Sequence, residues 1–225
     1  MTEHRRIRSF VRRQGRLTQA QRNAIERLWP RFGLDLPSGR FDFTQLFGRT
    51  APVVLEIGFG SGEALAQLAA SAPERDFIGI EVHRPGVGHL LRLLESKELR
   101  NVRVICEDAA LVLRDHVPDE SLAEVLLWFS DPWPKKRHHK RRLVQPEFIR
   151  ILAGRMIFGG RLHLATDWQD YARHMLATVD AGASFVNLAG AGHFSPRPPN
   201  RPLTKFEQRG MRLDHEVWDL IYQRA

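Results

Sequence analysis

The segment from Val53 to Gly62, VVLEIGFGSG, constrains the fold of this chain more than any other. It begins with a short apolar run rich in β-branched residues, which is typical of a strand covered on both faces. Gly58, Gly60 and Gly62 follow, and glycine lets the backbone turn tightly and approach a bound molecule. Apolar residues at helical spacing come next. The segment therefore predicts a strand, a glycine loop and a helix, the arrangement that binds a nucleotide-like ligand at its turn.

The spacing of the glycines argues against a dinucleotide. The fingerprint G-x-G-x-x-G/A is absent, because its third position is Glu63 counted from Gly58 and Leu65 counted from Gly60. The pattern is E-x-G-x-G-x-G from Glu56, which resembles the cofactor loop of class I S-adenosylmethionine-dependent methyltransferases. That cofactor carries an ammonium and a sulfonium, so a nearby carboxylate such as Glu56 suits it. Units of this kind also occur without any ligand.

The rest of the chain alternates between strand and helix patterns. Strands are predicted at 53–57, 76–81, 102–106, 123–129, 160–165 and 184–188, and helices at about 62–71, 85–96, 108–115, 145–157 and 169–181. This alternation predicts an α/β fold with a doubly wound, mainly parallel sheet and helices on both faces, as in Rossmann-like proteins. Residues 211–224 are amphipathic and fit either a last strand or a helix.

The N-terminal part is expected to differ from the rest. Thr18 and Gln21 form a predicted capping box for an apolar-striped helix that Pro30 is expected to stop. Residues 31–50 are predicted to be a loop. We therefore divide the chain into a basic N-terminal arm and helix (1–31) and a methyltransferase domain (32–225).

The net charge of +8 is concentrated in two places. Residues 1–31 hold nine arginines against two glutamates, and residues 135–142, KKRHHKRR, add six basic groups and no acid. The other 186 residues are mildly acidic. This distribution is expected of a protein that contacts nucleic acid. Solvated faces are the alternative for both runs, and an Arg-rich, acid-poor terminus also occurs in transit peptides.

Several classes of protein are disfavoured. The lone Cys106 excludes a disulfide framework, and no apolar run is long enough for a membrane span or a signal peptide, so a cytoplasmic location is expected. His138 and His139 lie among cations and no H-x-x-x-H or C-x-x-C spacing occurs, so no metal site is expected. Without a G-x-S-x-G motif, nucleophilic hydrolysis lacks support.

Four predicted strands end in an acid: Glu81, Asp108, Asp131 and Asp167. Ligands bind at the carboxyl ends of strands in open α/β sheets. Glu81 lies where an acceptor for ribose hydroxyls belongs, and Asp108 is expected beside the adenine, with Glu107 as the alternative. Any single acid of this kind is often only a helix cap.

Asp131 opens the sequence DPWPKKRHHKRR. It places a carboxylate, an aromatic ring and two rigid prolines next to the densest basic cluster. Trp133 is suited to stacking on a base, or alternatively packs in the core.

The motifs LEIGFGSGE, FIGIEVHRPGVG, FSDPWPKKRHHKRR, HLATDW and RPLTKFEQRG, in this order, resemble those of the bacterial tRNA (guanine-N(7)-)-methyltransferase family. The resemblance covers nearly the whole chain. It implies methyl transfer from S-adenosylmethionine to guanine 46 in the variable loop of tRNA, with tRNA as the partner and no membrane. Neither the oligomeric state nor the preferred tRNA species follows from the sequence.

The resemblance also implies residue roles. Asp131 would be the catalytic acid. The cofactor would be bound by Glu56, Gly58, Gly60, Gly62, Glu81, Asp108 and Asp131. The guanine would be held by Lys135, Asp167, Thr204, Lys205, Phe206 and Glu207, although Phe206 also fits the core. RNA would be contacted by Arg137, His138, His139, Lys140, Arg141 and Arg142.

The carboxylates of Asp167 and Glu207 suit the paired N–H donors on the Watson–Crick edge of guanine. Two other functions remain open. One is an RNA methyltransferase that modifies an exocyclic amine, because Asp131-Pro132-Trp133 partly resembles D-P-P-aromatic. The other is a non-enzymatic RNA-binding protein with a vestigial cofactor fold.

Overall fold

The computed structural model describes residues 17–204, 207 and 216–225. A seven-stranded sheet lies at its centre. The strands are β1 (Val53–Ile57), β2 (Asp76–Ile80), β3 (Val102–Ile105), β4 (Leu122–Trp128), β5 (Met156–Thr166), β6 (Phe185–Asn187) and β7 (Trp218–Arg224). The helices are α1 (Gln19–Phe32), α2 (Phe43–Phe47), α3 (Glu63–Ser71), α4 (Arg84–Ser96), α5 (Ala109–Asp115), α6 (Pro146–Arg155) and α7 (Gln169–Asp180), with a 3₁₀ helix at Lys136–Arg141.

The strand order is β3-β2-β1-β4-β5-β7-β6. Strands β1 to β5 are parallel, and β7 runs antiparallel to both β5 and β6. The order reverses between β1 and β4, and ligands in doubly wound proteins bind outside the carboxyl ends of the strands at such a switch point. The predicted fold class is therefore confirmed, and the topology points to the loops after β1 and β4.

Helices cover both faces of the sheet. Helices α1, α3 and α4 share one hydrophobic core with Val54, Phe77 and Leu126 of the sheet. Helices α5, α6 and α7 share the other with Leu55 and Leu127. Neighbouring residues of one strand thus belong to opposite cores, as expected for strands that are buried on both sides.

The strand predictions agree with the structure, and the undecided segment 211–224 contains β7 in its described part. The predicted helix 145–157 was too long at its end. Helix α6 stops at Arg155, because Met156 already pairs with Leu122 as the first residue of β5. The pairing of β5 with β4 therefore outweighs the helical pattern of the sequence at Met156.

Two predictions for the N-terminal part were wrong. Pro30 does not stop α1, because a proline in the last turn removes only one backbone donor and the helix ends with Gly33 N–H donating to Trp29. The predicted loop 31–50 contains α2, which is capped by Asp42 and by Gly48 in the left-handed conformation. The capping box at Thr18 is confirmed.

Helix α1 packs against α4, and its buried Ala24, Leu28 and Phe32 lie four residues apart on one face. Gly88 of α4 permits this approach, since a Cβ there would lie 2.9 Å from the backbone of Gln21. The helix is therefore part of the same hydrophobic core as the sheet. The predicted arm before it, residues 1–16, lies outside the described residues, and the boundary at residue 31 stays a prediction.

The chain that follows α1 covers one edge of the sheet. Gly33 forms a parallel bridge with Val104 of β3, and Leu34 N–H donates to the Val104 carbonyl at 2.8 Å. The opposite edge is β6, which is only three residues long. Neither edge strand is long and open.

Candidate active site

The glycine loop between β1 and α3 has the backbone conformation that its sequence predicts. Gly58, Gly60 and Gly62 have φ angles of 74°, 59° and 79°, in the left-handed region that suits glycine. Gly86, in the first turn of α4, packs on this loop: a Cβ at Gly86 would lie 2.0 Å from the carbonyl oxygen of Gly60. The loop is thus held between β1 and the start of α4.

Glu81, which follows β2, organises this loop. Its Oε2 accepts a hydrogen bond from Gly60 N–H at 2.9 Å, and its Oε1 accepts from the N–H groups of Val82 and His83 at 2.7 and 2.9 Å. The structure therefore brings Glu81 against the glycine loop, although the two are 21 residues apart in sequence. The expected contact of Glu81 with the ribose hydroxyls stays a prediction.

Glu56, on β1, is buried with one carboxylate oxygen unsatisfied. Its relative exposure is 4%, and Oε2 has no hydrogen-bond partner among the described residues. Burial, together with the nearby charge of Glu81, raises the pKa of Glu56 to about 8. A buried carboxylate without a partner is costly, and a ligand that brings positive charge would offset that cost. This orphaned oxygen fits the cationic groups of S-adenosylmethionine.

Asp108 is the N-cap of α5, with Oδ1 accepting from Ala110 N–H at 2.9 Å. It lies directly after β3, at the same edge of the sheet as Glu56 and Glu81. Glu107 is partly buried beside it. Asp108 can cap α5 and still lie at the edge of the ligand site. Its expected contact with adenine stays a prediction.

The loop after β4 carries Asp131 and has an unusual backbone. Phe129 and Trp133 have φ angles of 55° and 46°, which bulky side chains rarely adopt and which cost about 1–3 kcal/mol each. Asp131 lies between them, exposed, at the switch point next to β1. Strain of this kind persists only where the surroundings enforce it, and it marks this loop as a functional candidate.

Trp133 is half-buried and does not belong to either hydrophobic core. Its ring meets the edge of His138 at a centroid distance of 5.8 Å, and the Arg141 guanidinium lies 5.0 Å from its centre. Burial and the surrounding cations, first among them Arg141, lower the pKa of His138. The structure thus places Trp133 with the basic cluster.

The basic cluster forms the 3₁₀ helix and its flanks, and the exposure of its members differs. Lys135, Lys136, Arg137 and Lys140 are exposed, whereas His138, His139 and Arg141 are half-buried. The exposed members present a dense positive surface beside Asp131. Contact of this surface with RNA stays a prediction.

Arg142 departs from the prediction that it contacts RNA. Its side chain is only 1% exposed and pairs with Asp170, and its Nε donates to the Pro132 carbonyl at 2.9 Å. The guanidinium also lies over the ring of Tyr171, with 5.1 Å to the centroid. Arg142 therefore anchors the loop that carries Asp131 to α7. Because its side chain is buried, Arg142 is not part of the exposed basic surface.

The predicted guanine-binding residues are only partly described. Asp167 follows β5 and Lys135 follows the Asp131 loop, so both lie at the carboxyl edge of the sheet. Thr204 Oγ1 accepts from Glu207 N–H at 3.1 Å. Lys205 and Phe206 lie outside the described residues. Glu207 itself is buried and paired with two arginines, Arg197 and Arg201.

The sequence interpretation missed the residues around Glu207. Arg201, Asp219 of β7 and His163 of β5 are buried, with His163 Nε2 at 2.7 Å from Asp219 Oδ1. The available signal was a polar residue flanked by apolar residues in each of two strands, His163 in LHL and Asp219 in WDL. Polar residues at buried strand positions need hydrogen-bond partners, and here His163 and Asp219 are partners of each other.

The described part of the chain offers neither a metal centre nor a membrane-spanning helix. In it, no group of three or more His, Cys, Asp or Glu side chains is arranged to hold a metal ion. No helix in the same residues has the length and apolar character needed to cross a membrane.

Comparison with known proteins is consistent with this geometry. Residues 50–220 match a family model described as putative methyltransferase. The tRNA (guanine-N(7)-)-methyltransferase of Halorhodospira halophila is 57% identical over 224 residues, covering 99% of this chain and 97% of that protein. The protein of the same name from Alkalilimnicola ehrlichii is 59% identical over 225 residues, covering 99% and 94%.

Solved structures share the fold at much lower identity. The 16S rRNA methyltransferase KamB matches with a TM-score of 0.61 and 17% identity, covering 85% of this chain and 95% of that one. TrmN from Thermus thermophilus matches with a TM-score of 0.52 and 15% identity, covering 81% and 47%.

Proposed function

Because the chain belongs to the tRNA (guanine-N(7)-)-methyltransferase family, we propose that it transfers a methyl group from S-adenosylmethionine to N(7) of a guanine in tRNA, at position 46 of the variable loop. The observation that carries this proposal is the identity of 57% over 224 residues, which spans nearly all of both chains. A cytoplasmic location follows from the same proposal, since tRNA is the substrate.

The cofactor site is proposed at the carboxyl ends of β1, β2 and β3. The glycine loop would accept the cofactor against its backbone, and Glu81 would receive the ribose hydroxyls while it holds the loop. Glu56 would face the cationic groups, because its unsatisfied oxygen needs a positive partner. Asp108 and Asp131 would complete the site. When bound, S-adenosylmethionine supplies a methyl group activated by its sulfonium.

Asp131 is proposed to act by electrostatics and positioning. Guanine N(7) has a lone pair and no proton, so its attack on the methyl group requires no general base. Methylation builds positive charge on the imidazole half of the base. A fixed carboxylate beside that ring stabilises this charge and helps to orient the base, and preorganised charge is a large contribution to catalysis.

The guanine is proposed to lie between the ends of β4 and β5. Asp167 and Glu207 would accept from its N–H donors, and Lys135 and Thr204 would contact its other side, with Lys205 and Phe206 in the same motif. The exposed cations Arg137 and Lys140 would bind the phosphates around it, with Arg141, His138 and His139 nearby.

Methylation of unmodified tRNA transcripts with methyl-labelled S-adenosylmethionine tests the proposal. Digestion and chromatography should show 7-methylguanosine at a single site, and a transcript with adenine at position 46 is the matched control. A methyl group on an exocyclic amine would overturn the proposal in favour of another RNA methyltransferase. No transfer, combined with no heat of cofactor binding by calorimetry, would indicate a vestigial site.

Asp131→Asn tests the role of the carboxylate. This isosteric change should slow the single-turnover rate by roughly 10²-fold or more, and the wild-type rate should not change across neutral pH. A wild-type rate that rises tenfold per pH unit, with the rise lost in the variant, would show Asp131 to be a general base.

A further inference from the structure

Arg201 is a fully buried cation held between two buried carboxylates. Its Nη1 and Nη2 donate to Glu207 Oε2 and Oε1 at 2.8 and 2.7 Å, a two-pronged contact. On the other side its Nε lies 3.0 Å from Asp219 Oδ1, and Asp219 in turn contacts His163 of β5. Arg201 thereby connects the segment that carries Glu207 to the sheet.

The same guanidinium reaches the loop of Asp131. It lies 5.8 Å from the ring centroid of Phe129, the strained residue two positions before Asp131. Phe129 N–H donates to the Ala165 carbonyl of β5 at 2.8 Å, which fixes its backbone. One side chain thus contacts both the segment that carries Glu207 and the loop that carries the candidate catalytic carboxylate.

Arg197 also pairs with Glu207 but in a different setting. Its side chain is 39% exposed, whereas that of Arg201 is 0% exposed. Arg197 Nε donates to Oε1 at 2.9 Å, so the two arginines take three of the four lone-pair positions of the carboxylate. The two-pronged contact of Arg201 fills the paired positions that face one direction, so the position left open, on Oε2, can accept one N–H donor of guanine.

We propose that Arg201 is a positioning residue for methyl transfer: it holds the Glu207 carboxylate in place beside the Asp131 loop, so that the open position on Oε2 accepts an N–H of guanine. The inference rests on the proposed function, because it assigns guanine as the partner of Glu207. Arg201 itself does not touch the base.

The proposal has a consequence for pH. Among the described residues, Arg197 and Arg201 contact Glu207 from its own segment. Asp219 of β7, with His163 of β5 behind it, contacts Arg201 from the other side. Although burial opposes ionisation, the hydrogen bonds from Arg197 and Arg201 keep the pKa of Glu207 below its usual value. Without Arg201, burial meets less opposition and raises the pKa of Glu207, and a protonated Glu207 loses an acceptor for guanine.

The test is steady-state kinetics on unmodified tRNA at saturating S-adenosylmethionine between pH 5.5 and 8. Arg201→Met should raise the KM for tRNA at least tenfold at pH 6, with the KM falling as the pH rises. Arg201→Lys keeps the charge but loses the two-pronged contact, so its KM should be raised less and without the pH dependence. Arg197→Met, the matched control, should change KM by less than about threefold.

A separate control tests whether the Arg201 variants fold. Arg201→Met leaves two buried carboxylates without their cation, so Arg201→Met/Asp219→Asn is measured beside it. In either variant, an unchanged cofactor affinity by calorimetry shows that the fold is intact. If the double variant regains the wild-type KM, Arg201 only offsets charge and the proposal is wrong. If neither Met variant folds, a wild-type KM in Arg201→Lys overturns it.

Carbon NMR of the Glu207 carboxyl group separates this inference from the proposed function, because it needs no substrate. Arg201→Met should raise the titration midpoint more than Arg197→Met does. Equal midpoints in the wild type and Arg201→Met would refute the inference even if tRNA is methylated. Absence of methylation by the wild type would instead refute the proposed function.

Discussion

Glu56→Gln should change how the stability of the ligand-free protein depends on pH. The folded protein holds Glu56 in a buried site where its pKa is about 8, against an ordinary value of 4.5 in the unfolded chain. Between these values the folded state keeps a proton that the unfolded state releases. The free energy of unfolding contributed by Glu56 is therefore full below pH 4.5 and declines as the pH rises towards 8.

The size of the effect follows from the shift. Each pH unit between the two values costs about 1.4 kcal/mol, so from pH 5 to pH 7.5 the wild type should lose about 3 kcal/mol relative to Glu56→Gln. Glutamine has the shape of the protonated acid and does not titrate. Any constant cost of burying its amide cancels in this comparison, because only the change with pH is used.

Urea unfolding followed by circular dichroism at half-unit pH intervals measures this difference. Saturating S-adenosylmethionine should stabilise the wild type more than the variant at pH 7.5, since a cationic ligand favours the ionised Glu56. Parallel curves for the two proteins without ligand would show that Glu56 is ionised in the folded state, and the argument for its role would fail.

Two other substitutions test the loops around the site. Gly86→Ala should weaken cofactor binding at least tenfold by calorimetry, because the new Cβ would displace the glycine loop. Gly154→Ala, whose Cβ would have no atom within 4 Å, is the control and should bind the cofactor normally. Equal affinities in the two variants would mean that the glycine loop moves without cost. Arg142→Met should lower the free energy of unfolding by about 1–3 kcal/mol, because the Pro132 carbonyl loses its donor. Arg137→Gln should leave stability unchanged but flatten the salt dependence of tRNA binding by up to roughly 0.9 log units. The reverse pattern would place Arg142 on the RNA-binding surface.

The first six strands were predictable because each contains a short apolar run bounded by turn residues. Helix α2 was not predictable, because its five residues depend on the caps Asp42 and Gly48 more than on a repeating apolar pattern. The last strand was undecided because Asp219 interrupts its apolar run. Its partners in the structure, His163 and Arg201, come from distant segments.

The positions of the candidate site residues were predictable where a local rule determines the residue type. Glycines at positive φ and acids after parallel strands follow from local rules, and both were found in place. Burial of a charged residue follows no such rule: Arg142 and Arg201 lie in segments that resemble exposed, basic or proline-rich loops. Each is buried because carboxylates or carbonyl groups from elsewhere in the fold surround it, and their convergence is a property of the tertiary structure.

The bridge between Gly33 and Val104 also bears on the solubility of the protein. An uncovered edge strand presents unpaired backbone groups to any other extended chain and so promotes aggregation. At one side of this sheet the residues after α1 occupy β3, and at the other β6 is too short to template a long partner. A truncation that removes the chain up to Leu34 would therefore uncover the backbone of Val104 together with the core side chains that α1 now covers. The shortened protein would tend to associate through this surface, even though every residue proposed to touch the cofactor would still be present.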